Sequence, residues 1–447
     1  MRSLLLIIIL LYSTLLVSFA QRKSTDSIFS AEKLKTSSYS VYAIDAKTGQ
    51  VIYSTEQKSL STASVMKLFT TAAALDLLGP DYTFATTLSY TGNIDLPTET
   101  LTGNLILKGG GDPAFYSTFF QDHYQDCFAN WIIQMKQAGI KKINGSLLID
   151  ISAIESHTIP GGWGWDDIGN YYGAGVSALS YNDNLYEIHF SSSQTEGVQA
   201  IIRSVTPPIE GLKLGNHVLS SAIPGDQTIV YGAPGSDRQT IEGTIPAGQS
   251  DFVVKAAMPD PPVIAGHAFL KKLKEAGISI SGSVAKVTAK DSSQAKLLST
   301  QYSPPLKDLI VPLNKESLNL YAEHLLCEIG RMSSGEPSLK TGLKALHQYC
   351  SDNGIDTLGF FPEDGSGLSR SNSLTSKTLV ETLKHMHDSK YRDLFFNALP
   401  VAGVDGTLRN SFKGTVLEKN VTAKTGSMER VRSIAGMLHT RNNNTIL

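Results

Sequence analysis

A serine and a lysine one helical turn apart, Ser64 and Lys67, are the residues best placed to do covalent chemistry. They begin a segment, 61–79, in which apolar residues recur at helical spacing before a stop at Gly79-Pro80. A serine hydroxyl is a weak nucleophile until a base removes its proton, and a buried lysine with a lowered pKa can be that base. A helix N-terminus also supplies N–H groups where an oxyanion would form. The spacing therefore predicts a Ser–Lys acyl-transfer site.

The Ser-x-x-Lys pattern alone is a weak signal, because it occurs four times, beginning at Ser30, Ser64, Ser283 and Ser293. Only Ser64 opens a long helix with an apolar face, and the small residues before it leave its hydroxyl accessible. The other copies fall in a polar stretch, a strand-like run and a loop rich in serine and lysine. The alternative at Ser64 is an ordinary N-cap, with Lys67 in solvent.

A Ser–Lys site also needs a second hydroxyl and amide, which the motif Ser-x-Asn supplies. This motif begins at Ser180, Ser317 and Ser351. The copy at Ser351 is typical of the C-terminal turn of a helix, whereas Ser317-Leu318-Asn319 is a short connector before a predicted helix. The sequence therefore predicts that Ser317 and Asn319 face the cleft, with helix capping as the alternative for Ser317.

The third motif, Lys-Thr-Gly, supplies a cationic strand edge and begins at Lys47, Lys340 and Lys424. The first copy lies in a predicted hairpin turn and the second precedes a predicted helix. Only Lys424 ends one predicted strand and is soon followed by another. Such an edge can pair with an extended peptide while the lysine attracts a carboxylate; an ordinary strand-end lysine is the alternative. The three motifs occur in the order Ser64, Ser317, Lys424. Their joint occurrence is stronger evidence for an enzyme than any single motif is.

Two similar units indicate how the chain between these motifs is organised. Residues 135–146 resemble residues 273–283, and each unit reads as a helix, a glycine cap and a strand. The intervening segment, 176–258, consists of short alternating runs separated by Gly/Pro turns, which is typical of a small β module. We therefore predict one α/β domain split by an insertion.

The first twenty residues have the pattern of an export signal: Arg2, an apolar core over 4–17 and the small-x-small ending Ser18-Phe19-Ala20. We expect cleavage there, with an uncleaved anchor as the alternative, and an exported, periplasmic or extracellular protein. No later apolar run is long enough for a transmembrane segment in the mature chain. The sequence stops just after a predicted hairpin turn at 442–444, so we expect the C-terminus to be incomplete.

The composition excludes some partners. A formal net charge of −2 and an aromatic content of 8% argue against nucleic-acid binding. The three cysteines, Cys127, Cys327 and Cys350, lack metal-ligand spacing, and we expect no metal and no cofactor. Cys327 and Cys350 fall in helical patterns and are either disulfide partners or separate core residues.

Over nearly the whole mature chain, the sequence resembles the three-domain low-molecular-mass penicillin-binding proteins, which are D-alanyl-D-alanine carboxypeptidase/endopeptidases. The stretches that carry the resemblance are Lys47-Thr48-Gly49, Ser64-Val65-Met66-Lys67-Leu68, Gly109-Gly110-Gly111-Asp112-Pro113, the run 314–323 around Ser317-Leu318-Asn319, Asp364-Gly365-Ser366-Gly367-Leu368-Ser369-Arg370 and Lys424-Thr425-Gly426-Ser427. One departure is Thr62, where the family often has proline.

The resemblance implies a multidomain α/β fold. A penicillin-recognising, β-lactamase-like serine transferase domain would be assembled from residues 21–88 and 300–447. An α/β domain formed by 89–175 and 259–299 would be inserted into it. That domain would itself carry a mainly β insertion, 176–258, in agreement with the split-domain interpretation above.

The resemblance also implies catalytic roles. Ser64 would attack the carbonyl of D-Ala-D-Ala and Lys67 would take its proton. Ser317 would relay a proton to the leaving amine, and Asn319 would position Lys67 and the substrate amide. Penicillin and other β-lactam antibiotics would acylate Ser64 because they mimic the dipeptide.

Substrate-binding residues follow from the same resemblance. Lys424 and Thr425, in the motif that ends with Gly426, would hold the terminal carboxylate of the stem peptide. The N–H groups of Ser64 and Ser427 would form an oxyanion hole, worth roughly 10²–10³ in rate.

A glycine-rich stretch adds a second pocket. In relatives, this stretch lines a pocket for the diaminopimelate side chain of stem peptides and of D-Ala-diaminopimelate cross-links. The residues at the corresponding positions here would be Trp163, Asp166 and Tyr171, with Met428 opposite. An ammonium group suits an aspartate beside aromatic faces. The alternative is that Trp163 is only a hydrophobic plug in a glycine-rich loop.

The leading hypothesis is therefore a serine D-Ala-D-Ala carboxypeptidase/endopeptidase acting on peptidoglycan. A β-lactamase or esterase on the same site is the first alternative, although no glutamate is evident that would activate water for deacylation. A Ser-His-Asp hydrolase lacks its Gly-x-Ser-x-Gly motif. A non-catalytic wall-binding relative would not need Ser64, Lys67, Ser317 and Lys424 intact.

Overall fold

A computed structural model describes residues 36–154, 158–288 and 294–447 of the chain. The predicted export signal, residues 1–20, lies outside these ranges, as do Ser30 and Ser293 of the other Ser-x-x-Lys copies. Within the described ranges no helix is both long enough and apolar enough to span a bilayer. The chain folds as a mixed α/β protein, as the sequence predicts.

The helix Lys67–Leu78 is the centre of the fold, and every one of its residues from 67 to 75 is buried. Alanine and threonine make up much of this stretch, so neighbouring helices can pack closely on all sides. The surrounding helices are Leu306–Lys315, Asn319–Ser334, Leu339–Asp352, Ser376–Asp388 and Arg392–Asn397. A helix buried all round places a side chain at its start deep in the protein, which matters for Lys67.

An antiparallel sheet covers one side of this helical group. The long strands Val421–Met428 and Val431–His439 pair with each other, and the second pairs with Thr445–Ile446. Leu447 then exchanges two 3.0 Å backbone hydrogen bonds with Ile44, which joins the sheet to the N-terminal hairpin Tyr42–Ile44 and Val51–Ser54. The two ends of the described chain therefore build one sheet. A separate pair of short strands, Leu60–Ser61 and Ser373–Leu374, lies nearby.

The outer edge of strand Val421–Met428 is only partly covered. Ala402 donates to the carbonyl of Val421, and Ala423 donates to that of Pro400, both at 2.9 Å. Beyond these contacts no other strand of the described chain pairs with the edge, which stays open from Lys424 onward. The strand does not end at Lys424, as the sequence led us to expect, but continues through the whole Lys-Thr-Gly motif.

The residues between the catalytic motifs form two further sheets with helices against them. A five-stranded sheet contains Val284–Val287, Leu147–Asp150, Leu105–Lys108, Ala85–Tyr90 and Lys296–Tyr302 in that order. A four-stranded sheet contains Ser279–Ile280, Lys142–Asn144, Thr100–Thr102 and Asn93–Asp95. The helices are Gln121–Tyr124, Cys127–Gln137 and Pro261–Glu275.

The two similar units detected in the sequence lie side by side in these sheets. Strand Lys142–Asn144 pairs in parallel with Ser279–Ile280, and Leu147–Asp150 pairs in parallel with Val284–Val287. The boundaries expected after residue 88 and before residue 300 fall inside two strands that pair with each other. A division before Ala85 and after Tyr302 keeps this sheet whole.

The segment 176–258 is rich in β-structure, as predicted. One three-stranded sheet contains Ile201–Thr206, Leu185–Ser191 and Phe252–Ala257, and another contains Lys213–Ser221, Arg238–Pro246 and Gln227–Gly232. Their buried residues form a hydrophobic cluster of their own, which includes Tyr186, Val218 and Ile241. The short helix Trp165–Ile168 packs against strand Gln227–Gly232 and brings this module to the side of the active-site cleft.

Cys127, Cys327 and Cys350 are all buried with free thiols. The disulfide considered for Cys327 and Cys350 is therefore absent from the structure, and both act as small core residues. Burial raises the pKa of each thiol, most strongly at Cys127 and Cys327, so they stay uncharged at neutral pH.

Candidate active site

Ser64 lies in a 3₁₀ turn, Ala63–Met66, immediately before the central helix. Ser64 therefore lies one turn before the α-helix itself, which begins at Lys67. The preceding residue, Ala63, takes a left-handed conformation with φ of 45°. Such strain in a residue with a side chain persists only where its surroundings hold it. Here Ser433 Oγ donates to the carbonyl of Thr62 at 2.6 Å and ties the turn to the sheet.

Two glycines allow other segments to approach this turn closely. A Cβ atom at Gly367 would lie 1.9 Å from the carbonyl oxygen of Ala63. A Cβ atom at Gly426 would lie 2.8 Å from the carbonyl oxygen of Thr62 and 2.9 Å from the amide nitrogen of Ser64. One face of the strand that contains Gly426 is thus packed against the backbone of Ser64, while the edge of the strand stays open.

We expect Gly426→Ala to slow acylation of Ser64 by roughly 100-fold, the effect typical of displacing a reacting group by about 1 Å. The nearest atom is Ser433 Oγ at 2.2 Å, but the backbone atoms of Thr62 and Ser64 also lie under 3.0 Å away, so rotation of the Ser433 side chain alone cannot relieve the clash. The measurement is the second-order rate of labelling by a fluorescent penicillin. Gly161→Ala is the matched control, because a Cβ at Gly161 meets nothing within 4 Å. Equal rates in the two variants would contradict the close approach.

Lys67 is fully buried, and its amine has three neighbours. Nζ donates to Asn319 Oδ1 at 2.5 Å and to the carbonyl oxygen of Ser366 at 2.7 Å, and it lies 3.1 Å from Ser64 Oγ. A neutral amine has two N–H groups and one lone pair, so two acceptors leave the lone pair for the Ser64 hydroxyl. Burial lowers the pKa of Lys67 to about 7, although the charges of Asp364 and Glu323 act in the opposite direction.

A second Ser–Lys pair lies in the same region. Lys424 is fully buried, and its Nζ donates to Ser317 Oγ at 2.9 Å and to the carbonyl oxygen of Thr425 at 2.8 Å. Burial lowers the pKa of Lys424 well below its usual value, and the charge of Lys67 lowers it further. Ser317 is held in a left-handed conformation with φ of 62°, which turns the chain just before the helix that begins at Asn319.

Asn319 links Lys67 on the central helix to the region around Tyr172. Its Oδ1 accepts from Lys67, while its Nδ2 donates to the carbonyl oxygen of Tyr172 at 2.8 Å. The side-chain amide is therefore fixed by one partner from the central helix and one from the glycine-rich region. Thr425 Oγ1 lies 2.6 Å from Thr407 Oγ1, so its hydroxyl is also oriented.

The loop 364–369 supplies a carbonyl oxygen to Lys67, and two buried carboxylates, those of Glu323 and Asp364, hold the backbone of this loop in place. Glu323 accepts from the backbone N–H of Ser366 at 2.8 Å and from that of Gly365 at 3.0 Å. Asp364 accepts from the N–H groups of Gly367 and Ser369, both at 2.6 Å. These bonds fix the Ser366 carbonyl that accepts from Lys67. Burial, and then the charge of Asp364, raises the pKa of Glu323 to about 8.

The nucleophile opens into a cleft of about 460 Å³. The predicted site residues that line it are Ser64, Ser317, Asn319, Ser427, Met428, Asp166 and Tyr171. Lys67 and Lys424 lie behind the wall and reach it through the hydroxyl groups of Ser64 and Ser317. The structure thus brings together residues from segments separated by more than 350 positions.

Trp163 is the predicted pocket residue that the structure places elsewhere. It is buried and does not line the cleft, and its indole N–H donates to Asp364 Oδ2 at 2.8 Å. A buried indole needs an acceptor for its N–H, and a carboxylate with two lone-pair-bearing oxygens satisfies this need. Trp163 therefore supports the loop behind Lys67, which agrees better with the plug alternative than with a pocket wall.

Several residues that line or support the site were not predicted from motifs. Arg370 lines the cleft, and its guanidinium lies 3.5 Å from Asp166 Oδ2. Glu323 and Asp364 lie within stretches that carry the family resemblance, yet nothing in their spacing indicates which group they face. Thr62, the departure from the family pattern, has a buried hydroxyl without a hydrogen-bond partner in the described chain. Proline would leave no such group.

A serine hydroxyl beside a fully buried lysine amine, next to an open strand edge in an α/β fold, is the arrangement found in the class of serine enzymes that includes penicillin-binding proteins and β-lactamases. Residues 21–447 match the D-Ala-D-Ala carboxypeptidase 3 (S13) family, and the chain belongs to this family. The resemblance inferred from the motifs is confirmed.

Individual relatives support the same assignment. The chain is 30% identical over 443 residues to a D-alanyl-D-alanine carboxypeptidase of an Actinomadura species, with 93% of this chain and 78% of the relative covered. It is 28% identical over 383 residues to the D-alanyl-D-alanine carboxypeptidase DacB of Haemophilus influenzae, with 84% of this chain and 77% of the relative covered.

Solved structures match the predicted fold class. The crystal structure of penicillin binding protein 4 (dacB) from Haemophilus influenzae matches with a TM-score of 0.77 at 27% identity, covering 91% of this chain and 88% of the other. A crystal structure of the same protein complexed with a β-lactam matches with a TM-score of 0.74 at 26% identity, covering 92% and 89%. The multidomain penicillin-binding protein fold is therefore confirmed.

Proposed function

We propose that the protein is a serine D-alanyl-D-alanine carboxypeptidase and endopeptidase of peptidoglycan that works through an acyl-enzyme on Ser64. The observation that carries the proposal is the fully buried amine of Lys67, 3.1 Å from the Ser64 hydroxyl. Membership of the S13 family supplies the substrate class.

Acylation begins when the neutral amine of Lys67 accepts the proton of Ser64 Oγ. The oxygen attacks the carbonyl carbon between the two D-alanines, and negative charge develops on the carbonyl oxygen. The N–H groups of Ser64 and Ser427 stabilise that charge. The close packing of Gly426 against the Ser64 amide supports this assignment, because Ser427 is the next residue of the strand.

The leaving amine needs a proton, which Ser317 donates. Its oxygen accepts a hydrogen bond from Lys424 at 2.9 Å, so its own O–H is free to point to the substrate. The hydroxyl of Thr425 holds the terminal carboxylate, and the buried Lys424 supports it from behind Ser317, while the open strand edge pairs with the peptide backbone. Collapse of the intermediate breaks the C–N bond and releases D-alanine, or the acceptor peptide of a cross-link, as the ester on Ser64 forms. Water then hydrolyses this ester with Lys67 again as the base, and the donor peptide is released.

β-Lactam antibiotics acylate Ser64 by the same first step. Rapid release of the drug would require a carboxylate that activates water beside the ester. The carboxylates that line the described cleft are those of Asp166, Asp167, Asp183, Glu316 and Glu429. Asp166 lies 3.5 Å from the Arg370 guanidinium, and Asp183 accepts from the N–H of Thr118 at 3.1 Å. Glu316 is engaged by Arg409 at 2.6 Å, and Glu429 lies 3.5 Å from Arg430 on the rim. This arrangement favours a stable acyl-enzyme over a β-lactamase.

The test measures D-alanine released from a pentapeptide ending in D-Ala-D-Ala, and hydrolysis of a chromogenic β-lactam by the same protein. We expect steady D-alanine release and no sustained β-lactam turnover. Fast β-lactam turnover without D-alanine release would favour the β-lactamase alternative. Neither activity, together with no covalent labelling, would favour the wall-binding alternative.

The side pocket suits a zwitterionic side chain. Asp166 and Arg370 present opposite charges at the cleft, 3.5 Å apart, with Tyr171 and Met428 also lining it. The far end of diaminopimelate carries one ammonium and one carboxylate, so Asp166 binds the first and Arg370 the second. Both side chains are about half exposed, so the end of the diaminopimelate side chain can reach them by displacing only solvent.

We expect Asp166→Ala to lower kcat/KM for a diaminopimelate-containing pentapeptide by roughly tenfold to 100-fold, the usual cost of a hydrogen bond to a charged group. A pentapeptide with an uncharged third residue should lose little. Asp122→Ala, which removes an exposed aspartate of another helix, is the control variant. Equal losses on the two peptides would refute the pocket.

The chain would act on the cell wall outside the cytoplasm. The positive, apolar and small-x-small pattern of residues 1–20 supports export, and the diaminopimelate pocket favours a periplasm. The β-lactam antibiotics and the stem peptides would then reach Ser64 in the same compartment.

A further inference from the structure

An exposed tryptophan, packed on a half-buried tyrosine, lies next to the cleft. Trp165 is 57% exposed and is the residue before Asp166, which lines the cleft. Tyr231 lies beside it, with ring centroids 6.3 Å apart and planes at 28°. We call Trp165 and Tyr231 the aromatic ledge. An exposed indole beside a binding site offers a flat apolar face to a ligand.

The ledge continues the wall of the cleft. Tyr231 is two residues after Ile229 on strand Gln227–Gly232, so both side chains lie on one face of the strand. Ile229 lines the cleft and is 36% exposed, whereas Val230 on the other face is fully buried. The cleft surface therefore extends from Ile229 to Tyr231 and Trp165.

The ledge is also rigid. Asn170 Oδ1 accepts from the N–H of Val230 at 3.1 Å, and a Cβ at Gly169 would lie 2.1 Å from the Val230 carbonyl oxygen. The loop after the helix of Trp165 is thus fastened to the strand of Tyr231. A preformed flat surface binds a ligand with little loss of conformational entropy.

The substrate has a matching part at this end. On the proposed function, the terminal carboxylate of the stem peptide lies at Thr425, and the far end of the diaminopimelate side chain lies at Asp166, so the main chain of that residue passes within one side-chain length of Asp166. Two residues further on, the stem peptide is joined to an N-acetylated sugar of the glycan strand. A pyranose ring has one face made of C–H bonds, which packs on an aromatic ring, and polar groups at its edge that remain in water.

We propose that the aromatic ledge is a glycan subsite that binds the sugar to which the stem peptide is attached. The inference rests on the proposed function for the direction of the peptide. The outer face of Trp165 carries the sugar, and Tyr231 supports the indole from behind. The enzyme then prefers peptides still attached to glycan over free peptides.

The test measures binding to the Ser64→Ala protein by calorimetry, so that it does not depend on turnover. The two probes are a diaminopimelate pentapeptide and the same pentapeptide carrying its disaccharide. We expect the disaccharide to strengthen binding about threefold to tenfold, as one aromatic contact does, and Trp165→Ala on the same background to abolish that preference. Trp165→Phe should keep part of it, and Tyr302→Ala, which removes another aromatic residue that is 57% exposed, should keep all of it.

A spectroscopic signature accompanies binding. The chain has three tryptophans, and Trp131 and Trp163 are buried while Trp165 is exposed. The disaccharide probe should therefore shift the indole emission to shorter wavelength, and the free peptide should shift it less. Equal affinity for both probes, or a sugar preference that survives Trp165→Ala, would overturn the inference. Absence of D-alanine release by the wild type would instead count against the proposed function.

Discussion

Replacing Ser64 by alanine is expected to lower kcat/KM for D-alanine release by about 10⁴–10⁶-fold, the loss seen when a serine enzyme is deprived of its nucleophile. The variant keeps the buried Lys67 and the open strand edge, so it should still bind the pentapeptide. The expected signature is thus a loss in kcat with little change in substrate affinity. The measurement is a discontinuous D-alanine assay with enzyme concentration matched by absorbance.

The control for this prediction is Ser283→Ala, which removes the serine of another Ser-x-x-Lys copy. Ser283 is exposed and lies before strand Val284–Val287, away from the residues that line the cleft. Its loss should leave kcat/KM within about twofold, as is usual for a surface substitution. Substantial D-alanine release by Ser64→Ala would contradict covalent catalysis through this residue.

The second large effect is expected at Lys67. Lys67→Met removes the base but keeps a long apolar side chain in a fully buried position, so the fold should tolerate it. General-base catalysis is worth about 10²–10⁴-fold, and we expect acylation by penicillin to slow by that factor. The measurement is the second-order rate of labelling by a fluorescent penicillin, and the control is Lys47→Met in the exposed hairpin copy of Lys-Thr-Gly. Unchanged labelling would contradict the role of Lys67.

The pH dependence of the wild type follows from the same group. Lys67 accepts a proton only when it is neutral, and burial brings its pKa to about 7. Below that pH the amine is protonated and kcat/KM should fall about tenfold per pH unit, whereas above it the neutral form prevails and the acid limb levels off. An acid limb centred near the pKa of an ordinary exposed lysine would refute the argument.

The sequence was sufficient for the parts of the site that depend on local periodicity. Ser64 and Lys67 are three residues apart at a helix start, so their proximity follows from helix geometry alone. The convergence of Ser317 and Lys424 on them does not follow from spacing, since hundreds of residues intervene. It was predictable only because the three motifs occur in one order and resemble those of a known family.

The remaining differences have physical causes that a sequence does not display. The strand through Lys424 continues to Met428 because the facing strand Val431–His439 pairs with every residue of it. Trp163 is buried because Asp364, 201 positions away, accepts its indole N–H. The supporting carboxylates Glu323 and Asp364 are identifiable only once the folded chain shows what surrounds Lys67. Local patterns specify elements and turns, whereas burial and partners are decided by tertiary contacts.

Covalent catalysis through Ser64 is tested by a mass-spectrometric map of the protein after incubation with benzylpenicillin. We expect a single penicilloyl group, on the peptide that contains Ser64, that persists long after free drug is removed. The Lys67→Met variant should acquire the same group far more slowly. A penicilloyl group on any other serine, or no covalent group at all in a folded protein, would contradict it.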